Sequence, residues 1–109
     1  MLFAAACAKP KTYVIPAESR EIFSERCATC HGAGGRGDGA AAANLNPKPR
    51  DYTNGSWQKS VTDEQLRTII VNGGFAAGKS PLMPPNPDLD SKPDVVEGLV
   101  GIVRSFGPK

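Results

Sequence analysis

The pentapeptide Cys27-Ala28-Thr29-Cys30-His31 is the most informative stretch of this 109-residue chain. Its two cysteines are three residues apart, so on about one helical turn both thiols can reach the two vinyl groups along one edge of a porphyrin and form thioethers. His31 follows Cys27 by four residues and lies on nearly the same helix face, where its ring can turn under the iron and ligate it. This spacing is the attachment signature of a c-type haem and predicts one covalently bound haem c with its iron.

Two other uses of a Cys-x-x-Cys pair fit the chain less well. A thioredoxin-like redox pair lies in a βαβ pattern, and no such pattern surrounds these cysteines. A structural zinc site takes four ligands, whereas the chain has one histidine and three cysteines, most of them crowded into this pentapeptide.

The second axial ligand of the iron is inferred by elimination. His31 is the only histidine, so a second histidine of this chain cannot ligate the iron, and apart from Met1 the only methionine is Met83. A lone methionine is often a core gap-filler, but Met83 lies in the proline-rich stretch Pro81-Leu82-Met83-Pro84-Pro85, which is stiff and extended. Such a stretch can hold a weak thioether ligand against iron. Lys79 and an open distal site are the competing interpretations.

Length and composition favour one small domain that depends on its cofactor. The chain is near the low end for burying a core of its own, with ten prolines, twelve glycines and 39% hydrophobic residues. Haem would supply apolar core volume, so we expect folding and haem attachment to be coupled. The net charge of +2, with both signs mixed along the chain, gives no support for a nucleic-acid partner.

The chain resembles the class I, single-haem cytochromes c of bacterial type, from about Ala17 to Phe106. Besides the pentapeptide, the matching segments are Gly32-x-Gly34-Gly35-x-Gly37-Asp38-Gly39, Pro47-Lys48-Pro49-Arg50-Asp51, Trp57, Thr62-Asp63-Glu64-x-Leu66, Ile70-x-x-Gly73, Met83-Pro84 and Val103-Arg104-Ser105-Phe106. The resemblance implies an all-α cytochrome c fold with three main helices and long Pro/Gly-rich loops around one covalent haem. It also implies one-electron transfer between a donor and an acceptor redox protein, and no enzyme activity of its own.

In the resembled family, a loop carbonyl near the proximal edge of the haem accepts the Nδ1 proton of the ligand histidine. We expect Pro47 to supply this carbonyl to His31. Arg50, Tyr52 and Trp57 are candidates for hydrogen bonds to a haem propionate. The alternative is that Arg50 is an ordinary surface arginine and that the two aromatics are merely half-buried.

Local patterns predict the three helices. The first runs from Ala17 to about Cys30, with Ser19 where the family usually has glycine; we expect Ile102, which replaces a usual aromatic, to compensate at the helix crossing. A capping box at Thr62 and Gln65 starts the second, which Gly73 ends. The third begins at Ser91-Lys92-Pro93-Asp94, with Asp94 closing a second capping box, and carries an apolar stripe. Gly32 to Gly39 is predicted to be a loop.

Residues 1–16 are interpreted as the remnant of a signal or lipoprotein segment followed by a linker, and residues 17–109 as the cytochrome c domain. Small apolar residues precede Cys7, as at a bacterial lipoprotein cleavage site, although Ala4 stands where leucine would match better. Cys7 is therefore a candidate lipidation site, and residues 8–16 would form a short polar tether. The alternative is a frayed terminus with an incidental thiol.

Several functional interpretations remain open at this point. The resemblance predicts a periplasmic or otherwise extracytoplasmic protein in a respiratory or photosynthetic chain, either a shuttle or a membrane-anchored subunit of a quinol-oxidising or other oxidoreductase complex. A haem c sensor or peroxidase-like enzyme is the alternative, and it would require an open distal site in place of Met83.

Overall fold

The computed structural model describes residues 11–109, and helices joined by long loops make up this part of the chain, with no strand among these residues. The α-helices are α1 (Ala17–Ile22), α2 (Ala28–His31), α3 (Gly55–Ser60), α4 (Asp63–Ala76) and α5 (Pro93–Ser105). A π-helical turn, Phe23–Cys27, joins α1 to α2, and 3-10 turns span Ala42–Asn44 and Pro87–Ser91. None of the helices in residues 11–109 is both long and apolar enough to cross a membrane.

The first predicted helix is confirmed as one continuous rod from α1 to α2. Phe23 and Ala28, at the two junctions, both have right-handed helical dihedral angles. The π-helical turn widens the helix up to and including Cys27, the first attachment cysteine. Such turns recur at functional positions in helices.

Helices α1 and α5 cross at Ser19 and Gly98. Ser19 is fully buried and its hydroxyl donates to the carbonyl of Val95 at 2.8 Å. A β-carbon at position 98 would collide with Ser19 Oγ. Gly98 therefore makes room for Ser19, whereas Ile102, which was expected to do so, lies one turn further along the buried face of α5.

Helix α5 is the centre of the core and is buried over most of its surface. Its buried residues are Val95, Val96, Gly98, Leu99, Val100, Gly101, Ile102 and Val103. Just beyond the C-terminal end of α5, Phe106 packs on Phe23, with ring centroids 5.6 Å apart.

The N-terminal segment also contacts the core. Tyr13 and Ile15 pack against it, and a β-carbon at Gly101 would overlap Tyr13. Two residues of the described part of the expected tether, residues 11–16, thus pack on the domain, while Val14 between them is exposed. Cys7 and the rest of residues 1–10 lie outside the described residues.

Helix α4 begins as predicted. Thr62 Oγ1 accepts from the Gln65 amide at 3.1 Å and the Gln65 side chain accepts from the Thr62 amide at 2.8 Å, which completes the capping box. Helical geometry breaks at Gly73, whose φ of 84° is accessible to glycine at little cost, and one further turn follows.

The start of α5 differs from the prediction. Pro93 is its first residue, as expected, but Lys92 occupies the N-cap position, and its side chain bonds to Glu18 and makes no capping hydrogen bond in the described structure. Ser91 ends the preceding 3-10 turn instead, and its hydroxyl bonds to the Asp88 carbonyl of that turn. The prediction of a second capping box, closed by Asp94, is therefore wrong.

Candidate haem-binding site

The attachment residues lie together at the end of the first helical rod. Cys27 ends the π-helical turn, and Cys30 and His31 belong to α2, which stops at Gly32 with φ of 83°. The two thiols are not bonded to each other, and both line a cleft of about 720 Å³. Burial raises the pKa of the Cys27 thiol to about 11. A redox-active dithiol needs a lowered thiol pKa, so this environment disfavours the thioredoxin-like interpretation.

His31 is buried and hydrogen-bonded at one ring nitrogen. Its Nδ1 lies 3.1 Å from the carbonyl oxygen of Arg50. A carbonyl can only accept, so Nδ1 carries the proton and Nε2 keeps the lone pair that an iron ligand requires. Burial lowers the imidazole pKa and the Arg50 hydrogen bond opposes this, so the ring is neutral, the form that binds metals.

The carbonyl acceptor was predicted in the correct loop but at the wrong residue. Pro47 was expected, and Arg50 is found three residues later. Two contacts set this register: the Tyr52 amide donates to the Gly35 carbonyl at 2.7 Å, and the Pro49 carbonyl packs so closely on Gly37 that a β-carbon there would lie 2.6 Å from it. Both contacts join the loop to the glycine-rich segment after His31, which sequence periodicity does not show.

Tyr52 forms the wall behind the proximal ring. Its ring stacks on His31 with centroids 4.4 Å apart and planes 15° apart. Trp57 and Phe106 in turn stack on Tyr52 at 5.4 and 6.2 Å. Burial raises the pKa of the Tyr52 phenol far above its usual range, so the hydroxyl stays protonated. The sequence did not predict this stacking role: Tyr52 was expected either to contact a propionate or to be a half-buried aromatic, whereas it is buried against His31.

The cleft also has the charge that a haem carboxylate edge requires. Four basic residues, Arg26, Lys48, Arg50 and Lys79, are among its lining residues in the described chain, and no acidic residue is. Arg26 is already paired with Asp88, so Lys48, Arg50 and Lys79 are the candidates for the haem carboxylates. The Arg50 guanidinium lies 5.9 Å from the centre of the Trp57 ring. Arg50, Tyr52 and Trp57 all line the cleft, so their contact with a propionate stays a prediction. Pro47 lines it too.

Met83 reaches the same cleft from the loop after α4. Its carbonyl accepts from the Gly74 amide at 3.0 Å, and a β-carbon at Gly73 would lie 3.1 Å from the Met83 carbonyl oxygen. The break in α4 therefore lets this loop fold back against the helix. Leu66, Ile69 and Ile70 of α4 line the cleft as expected. Lys79, the competing ligand, lines it as well, so the placement of the two residues does not distinguish them.

These residues fit a covalent haem. Two thiols, a neutral imidazole with Nε2 available, a thioether and basic side chains line one cleft whose other walls include apolar residues of α4 and α5. Haem bound there would supply an iron that cycles between the ferric and ferrous states.

Comparisons with known proteins agree with this site. Residues 16–101 match the family model described as "Cytochrome C oxidase, cbb3-type, subunit III". A solved structure, the c-type cytochrome KustC0563, is 26% identical and superposes with a TM-score of 0.63, covering 83% of this chain and 98% of that chain. No curated protein matches the sequence significantly. Because the family match spans most of the chain and contains the attachment motif, the protein belongs to this family of single-haem c-type cytochromes, which makes it an electron-transfer protein with one covalently bound haem c.

Proposed function

We propose that the protein is a one-electron carrier whose haem iron is held by His31 on the proximal side and Met83 on the distal side. The observation that carries this proposal is that the neutral His31 ring and Met83 line one cleft, although they come from different parts of the chain. Lys79 lines the cleft too, and Met83 is preferred because its proline-rich stretch is stiff enough to hold a weak thioether ligand. Met83 sits in a short loop that hydrogen bonds to α4 hold in place.

The protein's own contribution to electron transfer is to keep the iron environment unchanged between redox states. The Arg50 carbonyl and the Tyr52 ring fix the proximal imidazole, and the hydrogen bond at Nδ1 makes Nε2 a stronger donor. A thioether ligand favours the ferrous state and raises the potential. The apolar residues of α4 that line the cleft, Leu66, Ile69 and Ile70, would limit the access of water to a haem bound there. Electrons would enter and leave at the thioether edge, where Cys27 and Cys30 are only half-buried.

The partners are a protein donor and a protein acceptor of an extracytoplasmic respiratory or photosynthetic chain. The family description names a subunit of an oxidase, which supports the version of the proposal in which the domain is a subunit of a membrane redox complex. Lipidation of Cys7 would anchor it there. Membrane fractionation of the full chain should show that the protein is in the membrane fraction and that Cys7→Ser moves to the soluble fraction. Recovery of both proteins in the soluble fraction would favour a diffusing shuttle.

Optical spectroscopy of the matured holoprotein tests the ligand assignment. We expect a reduced spectrum of haem c type and, in the oxidised protein, the weak far-red band of a sulfur-to-iron bond. Met83→Ala should abolish this band, whereas Lys79→Ala should leave it unchanged. Absence of the band in the unmodified protein, together with ready binding of carbon monoxide or peroxide, would indicate a sensor or peroxidase-like enzyme with an open distal site.

A further inference from the structure

The loop that carries Met83 is attached to α4 at both of its ends. We define residues 77–86 as the distal loop. At its start, the Lys79 amide donates to the Gly74 carbonyl at 2.7 Å. At its end, the amide of Asn86 donates to the Val71 carbonyl at 2.9 Å, and its side-chain amide donates to the Ile70 carbonyl at 2.8 Å. These bonds fix the distal loop relative to α4 alone.

Arg26, in the π-helical turn that precedes α2, contacts both the end of the distal loop, at Asn86, and the 3-10 turn after it, at Asp88. Its Nη1 donates to Asn86 Oδ1 at 3.2 Å and to Asp88 Oδ1 at 3.0 Å, and its Nη2 donates to Asp88 Oδ2 at 2.9 Å. We call Arg26, Asn86 and Asp88 the clasp. The two parallel bonds to Asp88 form the fork that only a guanidinium can make with a carboxylate. Asn86 is thus shared between the clasp and the C-terminal half of α4.

We propose that Arg26 is a positioning residue for the distal ligand: it holds the distal loop, and with it Met83, at a fixed distance from the haem iron. This inference rests on the ligand set of the proposed function. Arg26 immediately precedes Cys27, so a thioether bond would fix its backbone relative to the haem. The clasp is then a direct side-chain connection from a covalently fixed point to the end of the loop that carries the distal ligand. It controls how readily Met83 leaves the iron and admits another ligand.

The exposure of the clasp determines which measurement reveals it. The side chains of Arg26 and Asp88 are 40% and 55% exposed, and ion pairs this exposed contribute little to global stability. Local opening of a loop, however, requires far less free energy than global unfolding and responds to such contacts. Loss of the clasp should therefore change ligand exchange at the iron much more than it changes the unfolding midpoint.

The experiment compares Arg26→Gln with Arg67→Gln in the oxidised holoprotein. Arg67 is the matched control, because it forms a similar fork with Glu97 and is also 40% exposed, but it joins α4 to α5 away from the clasp. The probe is imidazole, whose binding displaces the sulfur-to-iron bond and bleaches the far-red band. We expect Arg26→Gln to bind imidazole about five- to tenfold faster than the unmodified protein, with Arg67→Gln within about twofold.

Two further variants test the assignment to the fork. Asp88→Asn should behave like Arg26→Gln, and Arg26→Lys, which keeps the charge but not the fork, should restore part of the slow exchange. Equal imidazole rates in Arg26→Gln and Arg67→Gln would overturn the role of Arg26. If the unmodified protein shows no sulfur-to-iron band at all, the proposed Met83 ligation itself fails, and this outcome is visible before any variant is made.

Discussion

At the scale of single residues, two contacts hold the imidazole of His31, a hydrogen bond at its edge and an aromatic ring stacked on its face. The Arg50 carbonyl accepts its Nδ1 proton, and the Tyr52 ring covers its face. The hydrogen bond alone would let the ring rotate about the line that joins the two atoms. The stacked ring restricts that rotation, because Trp57 and Phe106 hold Tyr52 from behind. Together they give the proximal ligand one orientation.

Replacement of Tyr52 by leucine should release this constraint. We expect Tyr52→Leu to lower the free energy of unfolding by about 2 kcal/mol, since an aromatic contact is lost and a void is left. The ferric EPR spectrum should broaden as the ring takes several orientations. Tyr52→Phe keeps the stack and should keep the spectrum of the unmodified protein. Identical spectra for the leucine and phenylalanine variants would contradict the stacking role.

At the scale of the helices, the crossing of α1 and α5 depends on a pair of small residues, Ser19 and Gly98. Ser19 occupies a site too tight for two β-carbon-bearing residues and uses its hydroxyl to satisfy the carbonyl of Val95. Gly98 supplies the space on α5. Serine in place of the glycine usual in the resembled family is therefore tolerated because glycine lies on the other helix.

The variant Gly98→Ala should destabilise the holoprotein by about 1–2 kcal/mol, because overpacking at the crossing outweighs the gain in helix propensity. Combining it with Ser19→Gly should cost less than the sum of the two single changes, since the colliding hydroxyl is gone. Urea unfolding of the four proteins measures this coupling. Strict additivity would mean that the two residues do not share the crossing.

At the scale of the whole molecule, Asp63 ties the N-terminal segment to two helices. Its carboxylate accepts from Lys11 Nζ at 2.7 Å, from the Tyr13 hydroxyl at 2.8 Å and from Arg104 Nε at 2.9 Å. Arg104 also donates to the Gln58 and Val61 carbonyls. Burial would raise the pKa of Asp63, but the hydrogen bonds from Lys11, Tyr13 and Arg104 outweigh it and lower the pKa to about 2.

This lowered pKa predicts a pH-dependent contribution to stability. An unfolded aspartate titrates near 3.8, so the stabilisation is complete above that pH and is lost as the pH falls toward 2. Asp63→Asn should lower the free energy of unfolding by about 1.5–3 kcal/mol at neutral pH. The difference between the two proteins should shrink toward pH 2. A difference independent of pH would mean that the carboxylate charge is not involved.

The cleft of about 720 Å³ lies inside a domain of this small size, and its walls include Leu66, Ile70 and Val103. These three side chains are already buried by the protein itself. What the apoprotein lacks is the apolar volume of the haem, and an unfilled or water-filled cleft of this size removes packing from a small core. We expect Cys27→Ala/Cys30→Ala, produced without haem attachment, to show little helical circular dichroism and no cooperative thermal transition. A cooperatively folded apoprotein would show that the core is self-sufficient.

Features that depend on neighbouring residues could be predicted from the sequence. The attachment motif, the Thr62–Gln65 capping box, the glycine-rich loop and the apolar stripe of α5 all lie within a few turns of chain, so local spacing determines them. Met83 was identified because the chain has few other possible ligands. The second capping box failed even at short range, because Ser91 is used by the preceding 3-10 turn.

The sequence by itself therefore determined the cofactor, the positions of the three main helices and the residues that can ligate iron. Only the tertiary structure decided that Arg50 and not Pro47 meets His31, that Arg26 clasps Asp88, and that Tyr13 docks on Asp63. These partners are 19, 62 and 50 residues apart in the chain. The physical reason is that such contacts depend on how loops are placed by the packing of helices, and no local spacing records which distant carbonyl or carboxylate that packing brings within hydrogen-bonding distance.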